Sequence, residues 1–165
     1  MAGNSLAPAA RFSIAALAAL GLGATPSAAQ ERPINLALVT PIQIFPAEDE
    51  IKGVRLNLIY GRNRAVTGLD VGLANHVDGR MSGVQWGVVN IAESMVGWQA
   101  GTVNYTVGRF EGLMWGPVNY AGHINGLQLG IVNYAARASG IQIGLINIIK
   151  EGGQFPVMVI ANWGK

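Results

Sequence analysis

Cysteine is absent from this 165-residue chain, and charge is scarce. Asp, Glu, Lys and Arg make up 12% of the residues, against about 25% in ordinary soluble domains. Without cysteine the fold rests on packing and backbone pairing alone, and a cysteine-linked lipid anchor is excluded. Eleven basic residues stand against nine acidic ones with no concentrated basic stretch, so a nucleic-acid surface is not expected. Helical periodicity is also missing between Ile51 and Lys165, where the frequent glycines would penalise a helix by about 1 kcal/mol each. In place of these the chain has 23 glycines and 50% hydrophobic residues. So little polar surface implies that something besides water covers part of the protein.

Residues 1–29 form a unit of their own. One basic residue, Arg11, precedes an apolar run from Phe12 to about Ala24, and Ser27-Ala28-Ala29 closes it with small residues. That is the pattern of a secretory signal cleaved after Ala29. The run is too short for a membrane span, which needs roughly 20 residues. Residues 30–50 then read as an N-terminal strand segment ending in an acidic turn, and 51–165 as a repeat domain.

The repeat is the strongest signal. "GLQLGIVNY" (Gly126–Tyr134) returns as "GIQIGLINI" (Gly140–Ile148). Aligned on the final Asn, the phrase recurs at Asn75, Asn90, Asn104, Asn119, Asn133, Asn147 and Asn162, with separations of 15, 14, 15, 14, 14 and 15 residues. Counting back from Asn75 makes Tyr60 the anchor of a variant first unit, so eight units are expected. Glycine stands seven residues before the anchor from Gly53 to Gly140 and three before it from Gly72 to Gly144. Both columns fail in the last unit, which has Phe155 and Val159 instead. Atypical end units suit stacked repeats, whose terminal members meet solvent.

Each unit reads as strand. Leu127, Leu129 and Ile131 alternate with Gln128 and Gly130, the period of a half-buried strand, and this places the leucines in a core and the Gln column (Gln85, Gln99, Gln128, Gln142) in solvent. The fold class is all-β. A β-roll or solenoid, one coil per unit, is favoured because every unit resembles its immediate neighbour, and the Asn column then forms a ladder of amides. The alternative is a small up-and-down barrel of the outer-membrane type, whose eight strands of nine or ten residues would match a membrane's thickness. Its natural repeat, however, is a hairpin two units long.

The phrase "LQLGIVN" resembles the repeat of the head β-roll in trimeric autotransporter adhesins. More extensively, from Ile34 to Asn162, the chain is similar to exported bacterial proteins with Gly-Leu-Gln-x-Gly-x-x-Asn repeats, a grammar shared by leptospiral surface repeat proteins. The resemblance implies an exported protein of the bacterial cell envelope and supplies no catalytic residue.

Candidate chemistry is thin. His76 and His123 lie at different phases, the carboxylates Asp70, Asp78, Glu93, Glu111 and Glu151 scatter, and the glycine phrases are not followed by the Lys-Ser/Thr and helix of a phosphate loop. No catalytic, metal or cofactor site is therefore expected. One column invites a ligand: Arg64, Arg80, Arg109, His123 and Arg137, with Met95 interrupting, form a basic ladder suited to an anionic glycan or lipopolysaccharide phosphate. The adjacent apolar columns, Leu58 to Leu145 and Ile59 to Ile146, must face opposite ways on a strand. One of them points outward, toward another copy, a lipid layer or the folded N-terminal segment. The expected function is a non-enzymatic exported envelope or surface scaffold that self-associates or contacts the outer membrane. The alternatives are a barrel with a structural or transport role and, third, an enzyme acting on envelope glycan.

Overall fold

The computed structural model describes residues 31–165; the secretory signal expected over residues 1–29 lies outside the described residues. One sheet contains every strand, in the order β2-β1-β3-β4-β5-β6-β7-β8. These are β1 (Glu31–Val39), β2 (Ile42–Gln43), β3 (Glu50–Asn63), β4 (Ala65–Ala100), β5 (Val103–Trp115), β6 (Val118–Ala138), β7 (Ile141–Glu151) and β8 (Val157–Trp163). At 36 residues β4 is no straight ribbon. It winds through more than two repeat units and stays paired around the bends. From β1 through β3 to β7 successive neighbours run parallel, and the sheet coils on itself as a β-solenoid of about seven turns. An up-and-down barrel needs antiparallel neighbours, so the barrel alternative is not the fold.

The repeat is the register. Gly53 pairs with Gly68, Asn90 with Asn104, Gly112 with Gly126, and Asn133 with Asn147. Equivalent residues therefore stack at the inter-strand spacing of about 4.8 Å. Units of 14 and 15 residues coexist because corners absorb the difference, at Asn57 to Tyr60 in the first coil and at Ala92 to Met95 and Thr106 to Arg109 further on. Thr106 pairs with Ala121, fifteen residues on, whereas Arg109 pairs with His123, fourteen on, and the slip lies between them. Neither strand of the coil is disturbed.

Glycine is required at the other bends. Gly112 has φ +128°, and a Cβ there would run into the carbonyl oxygen of Gly97 in the coil below. The same collision recurs up both glycine columns, for example between Gly116 and Gly101. This explains the end of the stack. The last unit has Phe155 and Val159 where those glycines should stand, so it cannot lie parallel on its predecessor. β8 instead turns back antiparallel to β7, with Gln142 opposite Asn162. The eighth unit is a cap rather than a coil.

The core inverts the expected faces. Leu127, Leu129 and Ile131 point outward, and Gln85, Gln99, Gln128 and Gln142 are fully buried. A coil sends four kinds of side chain into its lumen: an apolar one (Ile51, Val66, Met81, Met95, Phe110, Ile124), the Gln, the anchor Asn, and a small residue (Val77, Ala92, Thr106, Ala121, Ala135). Alternation sets which residues share a face but not which face is inside. The deciding term is that a buried amide costs little when the amide above and below satisfies it. Gln99 Nε2 donates to Gln85 Oε1 at 2.8 Å, and Gln142 Nε2 to Gln128 Oε1 at 2.7 Å.

The Asn column forms the expected ladder and more. Each Nδ2 donates to the Oδ1 of the next coil, from Asn75 through Asn90, Asn104, Asn119 and Asn133 to Asn147, at 2.8–2.9 Å. Its second hydrogen reaches across the lumen to a backbone carbonyl, as Asn104 does to Trp115 at 2.9 Å. The ladder thus ties the coils together and the two sides of each coil to one another. Two members depart from expectation. Asn162, in the reversed β8, donates to the Phe155 and Asn147 carbonyls instead of extending the ladder. At the other end Gly61, not Tyr60, registers with Asn75, and the ladder begins at Asn57, whose Nδ2 donates to Asn75 Oδ1 at 2.7 Å. Glycine and asparagine have exchanged places in this coil: a Cβ at Gly61 would run into the Asn57 amide.

Candidate functional site

With amides inside, the apolar residues of the repeat are displayed. Along one side the coils present Leu56, Trp86, Trp115 and Ile143 from one outward column and Leu58, Leu73, Val88, Ile131 and Leu145 from the next. The exposure is large: Trp86 is 64% accessible and Leu145 66%. Between these columns the glycine corner (Gly87, Gly101, Gly116, Gly130) makes the floor of a groove of about 740 Å³ that runs lengthwise past several coils. Trp86, Trp115 and Leu129 form one wall, and Val88, Thr102, Pro117 and Ile131 the other. Glycine is there because the stacking demands it, and the groove is a by-product of that demand. Trp98 stacks on Trp115 with centroids 6.5 Å apart. On the adjoining side Tyr105, Tyr120 and Tyr134 stack at 4.4 and 4.8 Å, the step of the coil itself.

Several outward columns are apolar where one stripe was expected: Ile59, Val118 and Ile146 are exposed as well as the column from Leu58 to Leu145. Nor does the N-terminal segment cover them: β1 pairs edge-on with β3 and continues the stack.

Charge gathers on the opposite edge. Of the five basic residues read as a ligand column, Arg109 and His123 are register neighbours, whereas Met95 belongs to the core and registers with Phe110. Three of the arginines are already matched: Arg64 with Glu50, Arg109 with Glu111, and Arg137 with Glu151. His123 Nε2 lies 3.4 Å from Ser139 Oγ. Among the described residues only Arg80 of the five has neither an ion pair nor a side-chain hydrogen bond. Acidic partners thus make the column part of a mixed-charge edge. Carboxylates that scatter in sequence are brought beside it by stacking.

Two clusters escaped the sequence reading. Arg55 and Asp70, both with side chains 0% exposed, form a bidentate pair at 2.8 and 2.7 Å in the Gln column. Asp70 also accepts from Asn57 and Gln85, and Arg55 donates to Asn63 Oδ1 and the His76 carbonyl. Opposite charges one unit apart in a single column were the available signal. Outside, Tyr60 Oη is 2.8 Å from His76 Nδ1, and His76 Nε2 is 3.5 Å from Asp78, which Arg62 holds at 2.9 Å. Burial, with the positive charges of Arg62 and Arg55 adding to it, pushes the His76 pKa below its usual value despite Asp78. Asp78 in turn keeps Arg62 more firmly protonated. This chain of groups resembles a proton relay, but it lies on the outer surface away from the groove. Among the described residues no three His, Asp or Glu side chains converge as a metal site.

Comparison with known proteins returns no matching family model, no similar curated protein and no similar solved structure. Geometry therefore defines the class: a parallel β-solenoid whose lumen holds amide ladders beside an apolar column, with an apolar exterior on one side.

Proposed function

We propose that this chain is a non-enzymatic scaffold of the bacterial cell envelope that beds its apolar side in a lipid layer and keeps its charged edge in water. The observation that carries the reading is the segregation: outward Leu, Val, Ile and Trp on one long side, ion pairs on the other. Interfacial elements bind through this kind of asymmetry, with tryptophan favoured at the boundary. A protein partner would want many hydrogen-bonding anchors amid the apolar surface, about ten at a typical interface, and the side chains of the groove offer three, the Thr102 hydroxyl and the indole N–H groups of Trp86 and Trp115. Export rests on the signal pattern of residues 1–29.

Flotation of the purified protein with phospholipid vesicles tests the proposal. Binding is expected, with a blue shift of tryptophan emission. A half-buried leucine or tryptophan contributes about 1 kcal/mol, so Leu73→Ser, Trp86→Ser and Leu145→Ser together should weaken binding by about a hundredfold. Replacing Arg80, Arg109 and Arg137 with serine should leave it nearly unchanged. Failure to float with either neutral or anionic vesicles refutes the reading.

A further inference from the structure

The two ends of the solenoid are finished differently. At the N-terminal end β2 pairs along β1, and Pro33, Pro41 and Pro46 remove backbone donors that another strand would need. At the C-terminal end β8 is the last strand of the sheet, with β7 as its neighbour strand; only its far end is held further, by the Gln154 N–H donating to the Trp163 carbonyl and a bridge between Gly153 and Gly164. From Phe155 to Trp163 there is no charged residue, and the single proline precedes the strand. Val159 and Ile160 are 67% and 73% exposed. A bare edge of this kind pairs with further strands where charge, proline and a covering segment are absent, and the one irregularity of β8 is its register slip against β7 between Met158 and Ile160. Ile160 also has φ 73°, in the left-handed region that a β-branched residue occupies only where its surroundings hold it. Within one chain its side chain faces mostly solvent.

We infer that β8 is a dimerisation edge, against which a second copy lays its own β8 antiparallel about a two-fold axis near Ile160. A two-fold contact sets each residue near the axis against its own kind, so like charges there would repel. This edge has none. A two-fold pairing of β8 with β8 uses the same edge of both copies, so association through it closes at two instead of propagating as a filament. The pairing satisfies the outward N–H and C=O groups of β8 and covers Val159 and Ile160. It is independent of lipid, because β8 closes the end of the stack and the apolar columns run along its side.

Sedimentation equilibrium of the purified protein in lipid-free buffer should give the mass of two chains. Ile160→Lys sets two like charges near the axis and should halve that mass while leaving the far-ultraviolet spectrum unchanged. Because the chain has no cysteine, Ile160→Cys is a second probe that does not rely on the lysine variant folding. Mild oxidation should link most of it into covalent pairs, and Ile42→Cys, at the capped end, should stay largely single. A single-chain mass for the unaltered protein at the highest soluble concentration overturns the inference. So does a dimer that survives Ile160→Lys, or equal cross-linking from positions 42 and 160. Vesicle binding by a single-chain species would overturn this inference and leave the lipid-facing reading standing; a dimer indifferent to vesicles would do the reverse.

Discussion

Replacing both members of the Arg55–Asp70 pair with glutamine should be far less damaging than replacing either alone. The two side chains are 0% exposed and joined by two short hydrogen bonds. Asp70→Gln leaves the guanidinium buried without a countercharge, and Arg55→Gln strands the carboxylate. Breaking a buried pair in this way costs about 3–5 kcal/mol. In the double variant the Gln column simply continues: Gln at 55 and 70 would stack below Gln85, which already donates to Asp70 at 3.0 Å. Arginine is larger than glutamine and aspartate smaller, so the summed volume is nearly kept. The remaining loss is a hydrogen bond or two, such as that from Arg55 to the His76 carbonyl, or about 1–2 kcal/mol. Urea unfolding followed by circular dichroism measures all four proteins of the cycle. With a urea slope of about 2 kcal/mol per molar, each single variant should lower the midpoint by roughly 2 M and the double by under about 1 M. The implied coupling is at least about 3 kcal/mol. If the double variant is as unstable as the two singles added together, the column is not a substitutable stack of polar side chains and the reasoning fails.

Gly112→Ala, at φ +128° with a carbonyl in the way, should cost more than about 2 kcal/mol, whereas Gly108→Ala, whose Cβ would sit 3.0 Å from the Glu93 carbonyl, should cost about 1 kcal/mol or less. Similar losses at both sites would discredit the stacking explanation. Asn104→Ala removes the amide that Asn90 donates to and that itself donates to Asn119 and the Trp115 carbonyl. It should destabilise by about 3–5 kcal/mol, well beyond Asn162→Ala in the cap, and a melting comparison decides. Because the folded His76 pKa lies below its unfolded value of 6.5, the unfolded chain takes up the proton first. Its contribution is therefore flat above pH 6.5, and stability falls as pH drops below 6.5 toward the folded pKa. His76→Gln should remove that part of the acid-side decline, and superimposable pH profiles for the two proteins would contradict the assignment.

How much of the fold is legible in the sequence depends on what a repeat records. Spacing of the Asn and Gly columns is a record of register, so all-β structure, coil length and the amide ladder were legible. Which side of each strand faces inward was not, since Leu127 and Gln128 merely alternate. Solvent exposure favours leucine inside, and only the partnership of Gln128 with Gln142 reverses that preference. The exchange of Asn57 and Gly61 was hidden for a related reason. It preserves what fills the lumen while breaking the columns that an alignment follows. The end at β8 was visible as two missing glycines, yet its reversal follows only once the clash at those corners is known. The slip at the corner after Thr106 is what brings Arg109 and His123 into register, whereas the acids that pair with the arginines, Glu50, Glu111 and Glu151, lie at other phases of the count and were not legible as partners.

That slip has a consequence for how such a chain can change. Both glycine bends and the amide columns are fixed by contacts with the coils above and below, so an added residue there would shear the stack. At the corner between Thr106 and Arg109, and at its counterpart between Ala92 and Met95, the chain already takes one residue more or fewer and stays paired on both sides. Growth therefore has two independent routes. Whole coils lengthen the rod in steps of about 4.8 Å, and insertions at this corner of the inner coils add loops to the charged edge; only the first coil places its slip at the glycine corner, between Asn57 and Tyr60. The molecule behaves as a ruler with a hinge-free margin, along which new segments can be written while its length and its apolar side stay as they were.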